Sequence, residues 1–237
     1  MDLKELGAVD PESHWYYRSK YAGLQRALSD AGGGSFDRVL DVGAGSGFFS
    51  AELMRSGTCS GRVCIDPNYA DSQLSATPDN VFVREATPEV VGSCDLALFI
   101  DVLEHVDDDV ALLRGYAARL SPGALVVVSV PAFQSLWSGH DEFLEHRRRY
   151  RLHEVNRAVE DAGLVPRTSR YLFGTGFIPA WLARKVLSGG EAKSQLKPLA
   201  PALDRVVGAW FATEHRLIRN RLLGLSAVVV AQSPSSR

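Results

Sequence analysis

Nine residues constrain the chain most. Val39-Leu40-Asp41-Val42 is a short apolar run, Gly43-Ala44-Gly45-Ser46-Gly47 follows it directly, and the stretch Phe48 to Arg55 then reads as a helix. An apolar run of this length stopped by glycines is a buried strand. Glycines at every second position let the turn take positive φ and let backbone approach a ligand closely. Strand, glycine turn and helix in that order belong to open α/β sheets, which bind ligands at the carboxyl ends of their strands.

The alternation continues along the chain. Pro11 to Ala31 reads as a helix stopped by Gly32-Gly33-Gly34. Further strands are expected at Arg62–Ile65, Val81–Val83, Leu96–Ile100, Leu125–Val130, Val165–Leu172 and Leu225–Ala231. After Asp107-Asp108-Asp109, Val110, Leu113, Ala117 and Leu120 share one helical face, with the acids where the helix dipole favours them. Leu152, Val155 and Val159 mark another helix, stopped at Gly163. Strands without polar alternation, separated by helices, imply a sheet buried on both faces. The expected fold is α/β: a doubly wound, Rossmann-like, seven-stranded, mostly parallel sheet in a single domain, residues 1–237. An N-terminal helical cap covers 1–35, and a helical insertion covers 174–223 before the last strand.

Composition excludes several classes. With 46% apolar residues and a net charge of -2, the chain is neither disordered nor a dedicated nucleic-acid binder. Its longest apolar runs fall short of the ~18 residues that cross a bilayer. Met1 to Glu12 has no apolar core of a signal peptide, so a cytoplasmic protein is expected. Cys59, Cys64 and Cys94 are odd in number and lack Cys-x-x-Cys spacing; they read as small buried hydrophobes. No metal is expected.

The glycine spacing narrows the ligand. A dinucleotide fingerprint needs glycine where the chain has Phe48, and a phosphate-binding loop needs a lysine that is absent. Asp66 ends the second strand, about 20 residues past the glycines, where a carboxylate accepts hydrogen bonds from both ribose hydroxyls.

Leu40-Asp41-Val42-Gly43-Ala44-Gly45-Ser46-Gly47, the acid Asp66 and Phe99-Ile100-Asp101-Val102-Leu103-Glu104-His105-Val106 together resemble class I S-adenosylmethionine-dependent methyltransferases. The resemblance implies S-adenosyl-L-methionine as cofactor. It places Gly43, Ala44, Gly45 and Gly47 against the methionine moiety, Asp66 on the ribose, Ala86 or its neighbours at the adenine, and Asp101 facing the methionine. Asp41, Pro67 and Val102 complete that expected set. A narrower resemblance covers most of the chain. His14-Trp15-Tyr16-Tyr17 is similar to the His-Trp-Trp-Phe start of a bacterial subfamily. Val130-Pro131-Ala132-Phe133, Leu136-Trp137-Ser138 and His140-Asp141 through His146-Arg147-Arg148-Arg149-Tyr150 are similar to its next signature. Tyr16 stands where that start usually has tryptophan, and Glu145 where the loop usually has glycine. Some members are similar to enzymes of natural-product or lipid-linked glycan pathways, which implies a small-molecule acceptor.

Methyl transfer is an in-line displacement that depends on alignment, and it needs a base only when an acceptor proton must leave. The loop after the fifth strand holds His140, Asp141, Glu142, Glu145 and His146. His140 beside Asp141 reads as a base with an orienting carboxylate, and His146 is the alternative; polar loop residues that cap helices or pair with arginines are the plainer reading. Arg147-Arg148-Arg149, Tyr150 and Arg151 form the densest basic run. Arginine there suits an acceptor carboxylate or phosphate, or a solvated helix start. Tyr16, Trp137, Arg147 and Tyr150 are the acceptor-binding candidates.

The insertion carries Phe177, Ile178, Trp181, Leu182, Val186, Leu187, Leu203, Val206, Val207, Trp210, Phe211, Leu217 and Ile218, with Arg184, Lys185, Lys193 and Lys197 interspersed. It reads as a cover for an apolar acceptor pocket, a homodimer face or a peripheral membrane-surface patch. Asp66-Pro67-Asn68-Tyr69 faintly resembles the motif of amino-directed DNA methyltransferases. It follows the second strand rather than the fourth, so no nucleic-acid partner is expected. The expected activity is methylation of a small, partly apolar acceptor at oxygen or nitrogen. Its rivals are an NAD-dependent oxidoreductase and a cofactor-binding, non-catalytic subunit.

Overall fold

The computed structural model describes residues 10–186 and 198–234. Leu187, Lys193 and Lys197 of the insertion, and the first nine residues, lie outside them. The chain runs α1 (Trp15–Asp30), β1 (Phe36–Val42), α2 (Phe48–Arg55), β2 (Cys59–Ile65), β3 (Ser75–Thr77), β4 (Asn80–Val83), α3 (Pro88–Gly92), β5 (Leu96–Ile100) and α4 (Asp109–Ala117). It continues with β6 (Leu125–Pro131), α5 (Gly139–Phe143), α6 (Leu152–Asp161), β7 (Val165–Leu172), α7 (Phe177–Val186), α8 (Pro201–Leu217) and β8 (Ser226–Gln232).

One sheet holds all these strands in the order β3-β4-β2-β1-β5-β6-β8-β7. β8 runs antiparallel to β6 and β7, and β3 antiparallel to β4; the remaining pairings are parallel. The sheet therefore has eight strands instead of seven. The added strand is the three-residue edge β3, anchored where Thr77 donates to the Asn80 carbonyl at 3.1 Å. It is too short and polar to leave a hydrophobic period.

Each central strand feeds two cores, because successive side chains point to opposite faces. Leu40, Ala97, Phe99, Val126 and Val128 join one cluster, against Leu113 and the α6 residues Val155 and Val159. Val39, Leu96, Leu98, Ile100 and Val127 join the other, against Leu24, Ala27 and Leu28 of α1 and Phe48, Phe49 and Leu53 of α2. Cys59, Cys64 and Cys94 are free and buried.

Helix boundaries follow their caps. α1 starts at Trp15 rather than Pro11, because the His14 ring accepts the Tyr16 N–H at 3.3 Å. At its end, the Gly33 N–H reaches the Leu28 carbonyl at 2.9 Å. α4 is capped by Asp108, which accepts the Ala111 N–H at 2.8 Å, and stops short of Leu120.

The two insertion helices go to different places. α8 lies along α1: Asp204 accepts the Trp15 N–H at 2.9 Å and pairs with Arg18 at 2.6 Å, while Phe211 stacks on Trp15 with ring centroids 5.4 Å apart. α7 lies beside the loop after β6, where Phe177 meets Phe133 at 5.1 Å and Arg184 donates to the Leu136 carbonyl. Leu203, Val206, Trp210 and Leu217 of α8 remain exposed. Among the described residues, no helix is long and apolar enough to cross a membrane.

Gly224, just before β8, admits no side chain. A Cβ there would sit 2.3 Å from the Leu172 carbonyl oxygen and 2.7 Å from the Tyr171 Cβ. Gly224→Ala is expected to cost about 1–3 kcal/mol of stability, read as a lower Tm by differential scanning calorimetry.

Candidate active site

The sheet order reverses at β1. The chain passes outward to β2 and β4 on one side, then returns to pair β5 on the other. A crevice opens at such a point, outside the carboxyl ends of the strands. The glycine loop follows β1 there, and Asp101 follows β5.

Gly43, Gly45 and Gly47 all take positive φ, at 64°, 55° and 68°. A Cβ on Gly43 would lie 2.7 Å from the Val102 side chain, which therefore rests on the loop; one on Gly47 would lie 3.2 Å from Arg62 and Cys64. Asp66 is buried, and its carboxylate accepts the Gly45 N–H at 3.0 Å and the Asn68 N–H at 2.9 Å. Each oxygen keeps lone-pair capacity for a ribose hydroxyl. Asp41 lies under the loop; burial raises its pKa, with a hydrogen bond from Ser50 opposing. Ala44 is buried, Pro67 is exposed beside Asp66, and Ala86 packs half-buried against the core after β4.

Asp101 is a non-glycine residue at φ 54°, a conformation that costs energy and clusters at functional sites. Its carboxylate receives Lys20 Nζ at 2.7 and 2.5 Å, and the same ammonium donates to the Tyr16 hydroxyl at 3.3 Å. Lys20 is fully buried. Burial alone would lower its pKa; the Asp101 carboxylate outweighs that and holds it above the ordinary lysine value. Burial likewise would raise Asp101, and Lys20 reverses it, so the carboxylate titrates below its usual range. Cation and anion together suit the zwitterionic amino-acid end of S-adenosylmethionine, so the donor set fits the expected cofactor. Lys20 had no role in the sequence analysis. Its signal was there: a lysine in register with Tyr17, Leu24, Ala27 and Leu28, the buried face of α1.

The loop after β6 is folded around Asp141. This buried carboxylate accepts the Ser138 N–H at 2.9 Å, is 2.9 Å from His146 Nδ1, and takes Arg149 Nε at 2.6 Å and Nη2 at 3.0 Å. Burial would raise its pKa; His146 and Arg149 together hold it well below the carboxylate range. Of the two candidate bases, His146 is the one whose ring nitrogen meets the Asp141 carboxylate at 2.9 Å. Burial depresses His140 on α5 to about 4, so its imidazole is neutral at physiological pH. His146 meets His105 edge-on, with centroids 4.8 Å apart.

The arginine run turns back on the loop after β5. Arg147 donates to the His105 carbonyl at 2.8 Å and pairs with Asp107, and Arg148 donates to the Val106 and Asp107 carbonyls at 2.9 and 2.8 Å. Tyr150 is buried, with its hydroxyl 3.1 Å from the Leu103 carbonyl and 2.8 Å from Asp109. These contacts tie the arginine run to the loop after β5. Trp137 is half-buried ahead of α5. Tyr16 stacks on Phe173 at 5.4 Å and edges against Tyr17 at 5.3 Å.

The sequence model of the methyltransferase-domain family matches residues 14–169, which include α1, the glycine loop and the His140–Tyr150 loop. An uncharacterised methyltransferase of Mycobacterium sp. (strain JLS) is 34% identical over 111 residues, 46% of this chain and 44% of that protein. A ubiquinone biosynthesis O-methyltransferase of Xanthomonas campestris pv. campestris is 30% identical over 134 residues, 53% of this chain and 52% of that protein. The chain thus spans about half the length of the curated relatives it matches. A solved SAM-dependent methyltransferase of Archaeoglobus fulgidus superposes with a TM-score of 0.53 at 16% identity, covering 90% of this chain and 92% of that one.

Two outcomes follow from the charges. Lys20→Met should weaken S-adenosylmethionine binding by about 10–100-fold in calorimetry, the loss of one charged hydrogen bond, with Lys20→Arg recovering part of it. Unchanged affinity would restrict Lys20 to anchoring Asp101. Burial also depresses His215 on α8 to about 4. Unfolded imidazoles titrate near ~6.5, so the unfolded chain takes up protons first as pH falls. Stability is complete above that value and should drop down to pH 4, by up to about 1.4 kcal/mol per pH unit for each of His140 and His215. Urea denaturation across that range should show this slope, and His215→Phe should flatten it.

Proposed function

The chain belongs to the methyltransferase-domain family; on that premise we propose that it is an S-adenosylmethionine-dependent methyltransferase that methylates a hydroxyl of a small, partly apolar acceptor, with an amine as the second choice. The observation that carries the reading is the imidazole cluster at the carboxyl ends of β5 and β6. His146 is fixed by Asp141, and His140 is kept neutral on the adjoining helix. A hydroxyl must lose its proton as it attacks, and a neutral imidazole beside a carboxylate-fixed one can take it. The 30% identity to an O-methyltransferase over about half of each chain supports the same choice.

When bound, S-adenosylmethionine supplies a methyl group on a positively charged sulfur. Asp66 holds the ribose, and the glycine loop with Lys20 and Asp101 holds the methionine end. His146, locked through Nδ1, positions the acceptor hydroxyl. His140 accepts its proton as the oxygen attacks the methyl carbon opposite sulfur. Phe133, Tyr171 and Phe177 form an aromatic group beside this loop, with centroids 4.9 and 5.1 Å from Phe133; they line the acceptor's apolar part, and α7 covers it. The exposed stripe of α8 is left for a homodimer face or peripheral membrane contact, which vesicle flotation of the purified protein separates. A cytoplasmic, natural-product or lipid-linked setting accords with these features.

Labelled methyl transfer to panels of small phenols, hydroxy acids and amines tests the reading. Hydroxyl acceptors should turn over, and His140→Ala should lower kcat by about 10²–10⁴-fold with cofactor affinity intact. Turnover of amines alone, or full activity in His140→Ala, would overturn the hydroxyl mechanism.

A further inference from the structure

Glu104 is the least explained residue near the site. It follows Leu103 at the start of the loop after β5 and is fully buried. Neither carboxylate oxygen has a hydrogen-bond partner from another residue. A buried carboxyl group left without partners costs several kcal/mol, so such a group needs an explanation.

Two imidazoles supply one. Ligand-capable atoms of Glu104, His105 and His146 all lie within 4.8 Å of one another. His146 has its Nδ1 bound to Asp141 at 2.9 Å, which leaves Nε2 as its second nitrogen. A carboxylate holding the far nitrogen of an imidazole is the arrangement that orients histidine ligands around metals. Arg149 in turn fixes that carboxylate with two hydrogen bonds, 2.6 and 3.0 Å, so the orienting group is itself rigid. The backbone holds the two loops together as well: the Arg147 N–H donates to the Glu104 carbonyl at 2.8 Å.

We propose that Glu104, His105 and His146 form a binding site for one first-row divalent transition cation, of the Zn²⁺, Fe²⁺ or Mn²⁺ kind. Two imidazoles and one carboxylate are the donor set of open catalytic sites for these ions, whereas Mg²⁺ and Ca²⁺ prefer all-oxygen shells. Ligand bonds of about 2.0–2.2 Å require the three side chains to close in by roughly 1 Å, within the reach of rotamer adjustment. The remaining coordination positions are open to water or to an acceptor oxygen. The ion's place in catalysis rests on the hydroxyl-acceptor reading: with His146 Nε2 on the ion, the ion would hold that oxygen in place of a direct bond from His146 and make its proton easier to remove. The site itself does not rest on that reading. Its ligands are contributed by positions 104, 105 and 146, and the 40 intervening residues hide them from any motif search.

The test measures metal binding alone, with neither cofactor nor acceptor. The full chain is stripped with a chelator, desalted and titrated with Zn²⁺ against a chromophoric competitor, then with Co²⁺ for its visible bands. One equivalent should bind at micromolar Kd or tighter, with Co²⁺ bands of a four- or five-coordinate ion. Glu104→Gln and His146→Ala should each weaken binding by at least about 10–100-fold, and Asp141→Asn by about tenfold through His146. Circular dichroism of the metal-free variants checks their fold, and the isosteric Glu104→Gln guards against a collapsed His146→Ala. Absence of stoichiometric binding to the wild-type chain, or equal affinity in folded Glu104→Gln and His146→Ala, overturns the site. Neither result touches methyl transfer, which is measured separately; conversely, stoichiometric binding without hydroxyl methylation keeps the site and removes its catalytic role.

Discussion

A lysine ammonium cannot leave water unless an anion waits for it. Lys20 is fully buried, and Asp101 is that anion. Much of the functional end of the molecule depends on this pair. It pins α1 across the carboxyl end of β5, and α1 carries α8 through Asp204, Arg18 and Trp15. It holds Asp101 in a left-handed backbone conformation next to Val102, which rests on the glycine loop. Removing one member of such a pair leaves a buried charge and costs about 3–5 kcal/mol. The N-terminal helix is therefore tied to the carboxyl end of β5 rather than an appendage to the sheet.

A second buried charge organises the loop after β6. Asp141 gathers Ser138, His146 and Arg149, and the loop after β6 takes its shape from those bonds. Arg147 and Arg148 then tie this loop to backbone carbonyls of residues 105–107. Carbonyl groups in a loop over a sheet end need donors, and a cluster of arginines supplies them. The basic run thus builds the site's frame, and it is this frame that places His105, His146 and Glu104 together.

The sheet was legible in the chain because burial on both faces demands unbroken apolar runs. Leu96–Ile100 and Val165–Leu172 fall where the pattern put them, β8 is shifted by one residue, and the other core strands extend by a few residues at their ends. β3 escaped, since three residues at a sheet edge need no hydrophobic period. The glycine loop was legible because positive φ demands glycine at 43, 45 and 47, and Asp66 because an acid that closes the second strand stands out by its spacing. Lys20 was visible only as a charge on an apolar face, and what it paired with was not.

The sequence by itself determined the α/β fold and the glycine loop, since each depends on local backbone demands or on a strand's own burial, and its motifs carried the resemblance to the family. The tertiary structure alone decided which charges meet. Lys20 and Asp101 are 81 positions apart, and Glu104 and His146 are 42. It also decided that Asp141 serves His146 rather than only its neighbour His140. The energy of a buried charge depends on what lies within a few ångströms in space, and sequence distance carries no information about that.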